Sequence, residues 1–292
     1  MFILHFRICL LYLGKKGLGM KLFEDVEERV KTYEDASNLH RCTPNQPIIA
    51  RIHGRGLLKH LKNLNLAFDD RIPMIFDKIC DSLIDATYCD LAHHRWNEIL
   101  LVWNHSDESK PTWLDGNIQQ MCSVISATAS NAFSQNARIL GIDDVYAIFE
   151  CHIWTVPELE DVADVMLWQE VDNAPFNNWM LSFASTRYNH DKLHGKSLLD
   201  VLNMLSSDGA APDYRARRGT YIRKVVTTRP FTPDELATLP PKQLARALAS
   251  PKYRHISAEF IKLQIKALNK YTIDERIAIL FGKLERKVED SE

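Results

Sequence analysis

The sequence predicts an α+β fold with a ferredoxin-like arrangement, an antiparallel sheet with helices on one face. Three segments carry that prediction, because each is short, strongly apolar and bounded by turn signals. They are the run Ile48–Ile52, the hairpin segment Leu91–Trp103 and the strand segment Val145–Val156. Helical patterns over 68–86 and 115–135 separate these segments. The resulting order is strand, helix, strand, strand, helix, strand.

The elements before the hairpin follow from local patterns. Lys21–Tyr33 has apolar residues at helical spacing, with acidic residues early and Lys31 late, which predicts an N-terminal helix. Asp35–Pro47 is polar and irregular. The first strand then starts after Pro47, and the helix over 68–86 is amphipathic.

After the hairpin, Asp115 is predicted to cap the long helix through about Gln135. Beyond Pro157 the pattern becomes helical. From Arg229 several prolines divide the chain, and 256–268 and 273–288 are predicted to be two amphipathic helices. We therefore expect the main domain over 20–228 and a helical C-terminal accessory segment over 229–292.

Composition limits the functional classes. The chain has 292 residues, 46% of them apolar, and a formal net charge of −2, which argues against indiscriminate polyanion binding but allows a local basic face. Its six cysteines have no C-x-x-C spacing, so we expect reduced thiols and a cytoplasmic protein. Residues 1–19 are too short and interrupted for a membrane span, and we interpret them as an upstream read-through or a non-native leader, with an amphipathic targeting leader as the alternative.

A glycine-rich turn follows the first strand. Gly54-Arg55-Gly56 frees the backbone to turn and to expose N–H groups, and a buried strand that ends in such a turn suits a metal and a polyphosphate. An ordinary strand-to-helix turn, with glycines for steric reasons alone, is the alternative for this stretch taken by itself.

Two motifs together resemble the tRNA-histidine guanylyltransferase family, whose enzymes add a nucleotide to the 5′ end of tRNA in the 3′-to-5′ direction. That family carries R-x-D-G-R-x-F after its first strand and S-D-E-(I/Y)-S on the hairpin. Arg51, Gly54 and Arg55 match the first motif, and Glu98 and Ile99 match the second. The resemblance implies a polymerase palm domain, with residues 53, 97 and 98 on one surface.

Further blocks extend the resemblance over roughly 20–228. His194-Gly195-Lys196-Ser197 resembles an H-G-K-S block of the family, and Arg217-Arg218-Gly219-Thr220 resembles its (K/R)-(K/R)-G-T block. The resemblance implies RNA or phosphate contacts by basic residues at these blocks and after the glycine turn. These residues are Lys59, His194, Lys196, Arg217 and Arg218.

The family's two metal aspartates are replaced here by His53 and Asn97, and its serine by Trp96. The resemblance implies that His53, Gly54 and Asn97 stand at the metal site, and that Glu98 is the remaining catalytic acid. It also implies a nucleotide site for GTP or ATP, with magnesium as the family's cofactor. The nucleotide-site residues are His53, Gly54, Arg55, Gly56, Leu57, Leu58, Trp96 and Asn97.

Magnesium prefers carboxylate, carbonyl and water oxygens, and two negative charges are missing from this site. We therefore predict nucleotide addition that is weakened or lost. One alternative is a non-catalytic module that binds tRNA, nucleotide or a sister subunit. A second is a palm enzyme with another metal, held by His53, Glu98 and either His93 or His94, of which only one can join because adjacent strand residues face opposite ways. Trp96 is the tryptophan that we expect to stack a base or to fill the nucleotide site. The expected partners are tRNA, a nucleoside triphosphate and further copies of the chain.

Overall fold

A computed structural model of the chain describes residues 18–37, 39–63, 69–104, 111–143, 145–171, 174–210, 218–250, 255–263, 265 and 267–282. Within these residues, six strands form one sheet in the order β4-β1-β3-β2-β5-β6, and every neighbouring pair is antiparallel. The strands are β1 Ile48–Gly54, β2 Leu91–Arg95, β3 Glu98–Trp103, β4 Phe149–Thr155, β5 Thr220–Arg229 and β6 His255–Leu263.

The α-helices connect and cover these strands. They are α1 Leu18–Ser37, α2 Leu57–Asn63, α3 Arg71–Thr87, α4 Ile118–Ile139, α5 Leu159–Val171, α6 Ala174–Arg187, α7 His190–Leu193, α8 Leu198–Ser207, α9 Pro233–Thr238, α10 Pro241–Ala249 and α11 Ile273–Phe281. None of the helices in the described ranges has the length and apolar character needed to cross a membrane.

The order β1-α3-β2-β3-α4-β4 is the predicted ferredoxin-like unit, and the α+β prediction is confirmed. Alternation along each strand gives this unit two apolar faces. Ala50 and Ile52 of β1 pack with α3 and α4 in the larger core cluster. Ile49 lies on the opposite face, which α5 and α11 cover. The helices of the unit therefore lie on one face, as predicted, and later helices cover the other.

Two local predictions are wrong. Asp115 does not cap the long helix, because Leu114 and Asp115 have left-handed φ angles of 51° and 52° and the helix begins only at Ile118. Its N-cap is Asn117, whose side chain accepts a hydrogen bond from the Gln120 N–H.

The segment 256–268 is not a helix either. Most of it is β6, which pairs with β5 from Tyr221↔Leu263 to Arg229↔His255. The predicted boundary after residue 228 falls inside β5, so the sheet itself continues into the accessory segment. The later helix prediction is met in part by α11, and residues 283–288 lie outside the described part of the chain, as do residues 1–17 of the predicted leader.

Candidate functional site

The ends of β1 and β3 bring four of the predicted site residues together. His53 and Glu98 are direct partners in the antiparallel ladder, and the Gly54 N–H donates to the Asn97 carbonyl at 2.9 Å. Directly opposed residues of antiparallel strands share a face, so His53 and Glu98 point to the same side of the sheet. We call His53, Gly54, Asn97 and Glu98 the motif pocket.

The Asn97 side chain closes one side of the motif pocket. Its Nδ2 lies 2.9 Å from Nε2 of His53 and 3.3 Å from the Gly54 carbonyl oxygen, to which it donates. An amide NH₂ group only donates, so Nε2 of His53 is the acceptor and the imidazole proton lies on Nδ1. That Nδ1 faces Oε1 of Glu150 at 3.6 Å, beyond hydrogen-bond distance.

Glu150 lies at the site but is not among the predicted site residues, and the same is true of Gln169. Glu150 lies on β4 directly opposite His53, and its side chain is 48% exposed. The pairing of β1 with β4 brings it to the motif pocket. The pairing gives the motif pocket an acidic neighbour from an edge strand.

Glu98 is held by two partners on the other side of the motif pocket. Its Oε1 accepts from Nη2 of Arg51 at 2.6 Å, and its Oε2 accepts from Nε2 of Gln169 at 2.9 Å. The Arg51 guanidinium also lies over the Trp168 ring, 5.4 Å from its centroid. Glu98 is buried, so these contacts balance a charge that would otherwise be expensive to remove from water. They also occupy both carboxylate oxygens.

The turn after β1 is the segment predicted to bind phosphate. The N–H groups of Gly54 and Arg55 donate to Asn97 and Ile148, so they serve the fold. Gly56 has a φ of 65° and directly precedes α2. The first N–H groups of a helix have no partner within the helix, so those of Gly56 and the next two residues are the donors best placed for an anion. We call Arg55–Leu58 the phosphate turn.

The side chains of the phosphate turn divide by exposure. Arg55 and the following Lys59 are exposed, whereas Leu57 is buried in the core against Gly54. Leu57 therefore anchors the turn, and its side chain is not available to a nucleotide. The Leu58 side chain lies outside the described part of the structure.

Trp96 stacks on protein. It occupies the two-residue turn between β2 and β3 with a φ of 59°, an unusual conformation for a bulky residue. Its ring lies 3.8 Å from that of Trp179, which stacks in turn on Phe183 at 5.4 Å. These contacts tie the motif hairpin to α6, and one face of Trp96 is already used.

The remaining predicted contact residues lie in two places. His194 and Lys196 are exposed in the connection between α7 and α8. Arg218 donates through Nη1 to Oε1 of the buried Glu170 at 2.5 Å, so its guanidinium holds the fold together. Arg217 lies outside the described residues.

Neither His93 nor His94 joins His53. They face opposite sides of the sheet, as predicted: Nε2 of His93 lies 2.9 Å from the Arg218 carbonyl, and Nε2 of His94 lies 2.7 Å from Oδ1 of Asp77. Burial lowers the pKa of His93 from 6.5 to about 3, with nearby positive charge acting in the same direction against the Arg218 hydrogen bond. His93 is therefore a neutral donor to that carbonyl.

The motif pocket does not fit magnesium. The ion requires oxygen ligands near octahedral geometry, but the Asn97 amide directs a hydrogen at the Gly54 carbonyl oxygen, and Arg51 and Gln169 each hold one oxygen of Glu98. Position 53 offers an imidazole nitrogen. Over the ranges given above, the structure contains no group of three or more His, Cys, Asp or Glu side chains that could hold a metal ion.

Comparison with known proteins supports the resemblance. The family described as tRNAHis guanylyltransferase (Thg1) matches residues 27–157, which include both motifs and the motif pocket. Over residues 27–157 the chain is similar to tRNAHis guanylyltransferases. No curated protein matches it.

Solved structures give the same fold for this guanylyltransferase-like chain. It is similar to a bacterial tRNA(His) guanylyltransferase (Thg1)-like protein in complex with ATP, with 23% identity over 68% of this chain and 88% of that chain and a TM-score of 0.60. The structure of a bacterial Thg1-like protein in complex with GTP is 21% identical over 68% of this chain and 86% of that chain, with a TM-score of 0.54. The tRNA(His) guanylyltransferase of Saccharomyces cerevisiae is 15% identical over 63% of this chain and 88% of that chain, with a TM-score of 0.52. At these identities the likeness shows the fold, and the predicted palm is confirmed.

Proposed function

We propose that this chain is a tRNA guanylyltransferase-like protein that binds a nucleoside triphosphate and the 5′ end of a tRNA, with 3′-to-5′ nucleotide addition weakened or lost. The observation that carries the proposal is the junction of β1 with β3. There the phosphate turn remains while His53 and Asn97 bond to each other where the family has its metal aspartates.

Nucleotide binding is supported from two directions. Two structures that share the fold are complexes with ATP and with GTP. In this chain the glycine turn leaves N–H groups at the start of α2, and the exposed Arg55 adds a guanidinium that can pair with phosphate oxygens. Both features suit a triphosphate.

A loss of magnesium-dependent addition is supported by the hydrogen bonds of the motif pocket. Asn97 presents N–H groups where a metal needs oxygen atoms, and Arg51 and Gln169 hold the remaining acid, Glu98. Recruiting Glu98 to a cation would require breaking a buried ion pair. A binding module for tRNA or nucleotide therefore fits this chain better than an active transferase does.

The alternative of a different metal has no support from the described contacts. It requires His93 or His94 beside His53, but the first ring bonds to the Arg218 carbonyl and the second to Asp77. Assembly into a homo-oligomer remains a prediction, which light scattering on the purified chain would test.

The test separates binding from chemistry. We would incubate the unaltered chain with tRNA and labelled GTP, in parallel with magnesium, manganese and zinc, and measure both bound and incorporated label. We expect binding with little or no incorporation, and incorporation in the His53→Asp/Asn97→Asp variant with magnesium. Strong magnesium-driven incorporation by the unaltered chain would contradict the proposed loss of catalysis.

The role of Glu98 is tested in the same assay. If the aspartate variant incorporates label, adding Glu98→Gln should abolish incorporation. Incorporation that persists would show that Glu98 is not the acid of this site. Because Glu98 is buried between Arg51 and Gln169, circular dichroism of each variant must first show an unaltered fold.

A further inference from the structure

The Asn97 amide takes the structural place of a cation at the Gly54 carbonyl. Two acceptors of the motif pocket are hydrogen-bonded to this one nitrogen: His53 Nε2 at 2.9 Å and Gly54 O at 3.3 Å. An amide nitrogen carries two hydrogens, so each acceptor receives one. Asn97 is only 5% exposed, which means that these bonds are made out of bulk water.

Carboxylates at the same two positions would behave differently. Side chains at 53 and 97 would then present only acceptors to each other and to the Gly54 carbonyl, and two negative charges would meet at short range. Repulsion of that kind greatly exceeds thermal energy in a partly buried site, so a cation is needed to hold such a group together. In this chain the Asn97 amide instead donates one hydrogen to the His53 ring and one to the Gly54 carbonyl.

The same change alters what a triphosphate meets. With aspartates, the phosphates would approach a doubly negative site, and bound cations would have to screen that repulsion. In this chain the motif pocket contributes Glu98, whose charge Arg51 neutralises at 2.6 Å. The neighbouring acid Glu150 has a side chain that is 48% exposed, so water screens its charge. The phosphate turn nearby offers N–H groups and the Arg55 guanidinium. A phosphate chain can therefore bind without a screening cation.

We propose that this site binds its nucleoside triphosphate without a divalent cation, because the Asn97 amide replaces the cation as the electropositive group at the Gly54 carbonyl. The proposal rests on the proposed nucleotide-binding function. It adds that magnesium is dispensable for binding, and it identifies Asn97 as the residue that makes it so.

Nucleotide binding is the first measurement. We would titrate the full chain with a fluorescent GTP analogue and with ATP, once in excess EDTA and once with saturating MgCl₂. We expect dissociation constants within about threefold of each other in the two buffers. In the His53→Asp/Asn97→Asp variant, we expect binding in EDTA to be at least about tenfold weaker and magnesium to restore it. If the unaltered chain bound at least about tenfold more tightly with magnesium, the proposal would be overturned.

Thermal unfolding without nucleotide is the second measurement and does not depend on the proposed function. We expect magnesium to leave the melting temperature of the unaltered chain unchanged. The Asn97→Asp variant should melt at a lower temperature in EDTA and be stabilised by magnesium. Asn203→Asp, an isosteric change on an exposed face of α8, is the control and should show neither effect.

The two measurements fail in different ways. If no nucleotide bound in either buffer, the proposed function and metal-free binding would both be rejected, while the melting experiment would still decide the role of Asn97. If magnesium raised the melting temperature of the unaltered chain and Asn97→Asp did not change that response, the amide would not replace the cation. That result would overturn the inference even if nucleotide bound.

Discussion

Two regions of the sheet each combine an Arg–Glu ion pair with a histidine, but the two histidines differ in exposure. In the motif pocket, Arg51 pairs with Glu98 beside His53. At the contact of β2 with β5, which we call the β2–β5 junction, Arg218 pairs with Glu170 and its carbonyl accepts from His93. His53 has a side chain that is 39% exposed, whereas His93 is 1% exposed.

This difference in exposure distinguishes a pocket that solvent can reach from a buried structural contact. At the junction it is Glu170 that is enclosed, since its carboxylate also accepts from the Leu268 N–H at 3.0 Å and its carbonyl accepts from Arg95 at 2.8 Å, while the Arg218 side chain is 32% exposed. The motif pocket is satisfied internally but opens to solvent at His53. Neighbouring residues of α5 serve both regions, because Gln169 bonds to Glu98 and Glu170 bonds to Arg218. Two sequence blocks resemble one family. The block with Arg51 therefore borders the motif pocket, and the block with Arg218 makes a structural contact.

Arg218→Met should give the largest effect. It would leave the Glu170 carboxylate, 1% exposed, without its cation, and we expect the free energy of unfolding to fall by about 3–5 kcal/mol. Urea denaturation followed by circular dichroism measures the loss. The double variant Arg218→Met/Glu170→Gln should lose less, because a neutral amide needs no cation. A loss below about 1 kcal/mol for the single change would mean that the β2–β5 junction is not a closed structural contact.

Arg51→Met makes the matching change in the motif pocket. Glu98 would keep the Gln169 amide, and solvent can reach the region past His53, so we expect a loss of about 2–3 kcal/mol in the same urea experiment. A loss equal to that of Arg218→Met would remove the distinction between the two regions.

Much of the sheet could be predicted because local sequence patterns identify its strands. Ile48–Ile52 and the hairpin are short apolar runs with turn residues at their ends, and both lie where predicted. The helix predicted over 256–268 is wrong because the apolar residues of β6 also fit helical spacing. In the folded chain the side chains of β6 alternate between the two faces of the sheet, as in a strand. Phe260 packs on the larger core, and Lys262, two residues on, pairs with Asp77 on the same side.

The candidate site was predictable only in part, for a similar reason. His53, Gly54, Asn97 and Glu98 lie in two motifs on paired strands, so recognising the motifs was enough to group them. Two of their partners, Glu150 and Gln169, come from later segments of the chain. Glu150 arrives through the β1–β4 pairing and Gln169 through the packing of α5, and both depend on the whole fold.

The His93 side chain should make the junction sensitive to acid. Its pKa is lowered from 6.5 to about 3 by burial, so the unfolded chain takes up a proton below pH 6.5 while the folded chain does not. The contribution of His93 is therefore present above pH 6.5 and is lost as the pH falls towards 3. We expect a loss of about 2 kcal/mol between pH 7 and pH 5. Urea titrations across that range, compared with His93→Gln, would isolate it; an unchanged pH dependence in His93→Gln would assign the loss to other groups.

His53→Gln should have the smallest effect on the free energy of unfolding, below about 1 kcal/mol. The Asn97 amide would keep its bond to the Gly54 carbonyl, and water could take over the other hydrogen because the His53 side chain is 39% exposed. The same substitution at His93 has no such access to water, so the pair of variants compares two histidines that differ mainly in burial. A loss at His53 as large as that of Arg218→Met would make the motif pocket part of the closed framework. The pocket would then have no open side for a nucleotide.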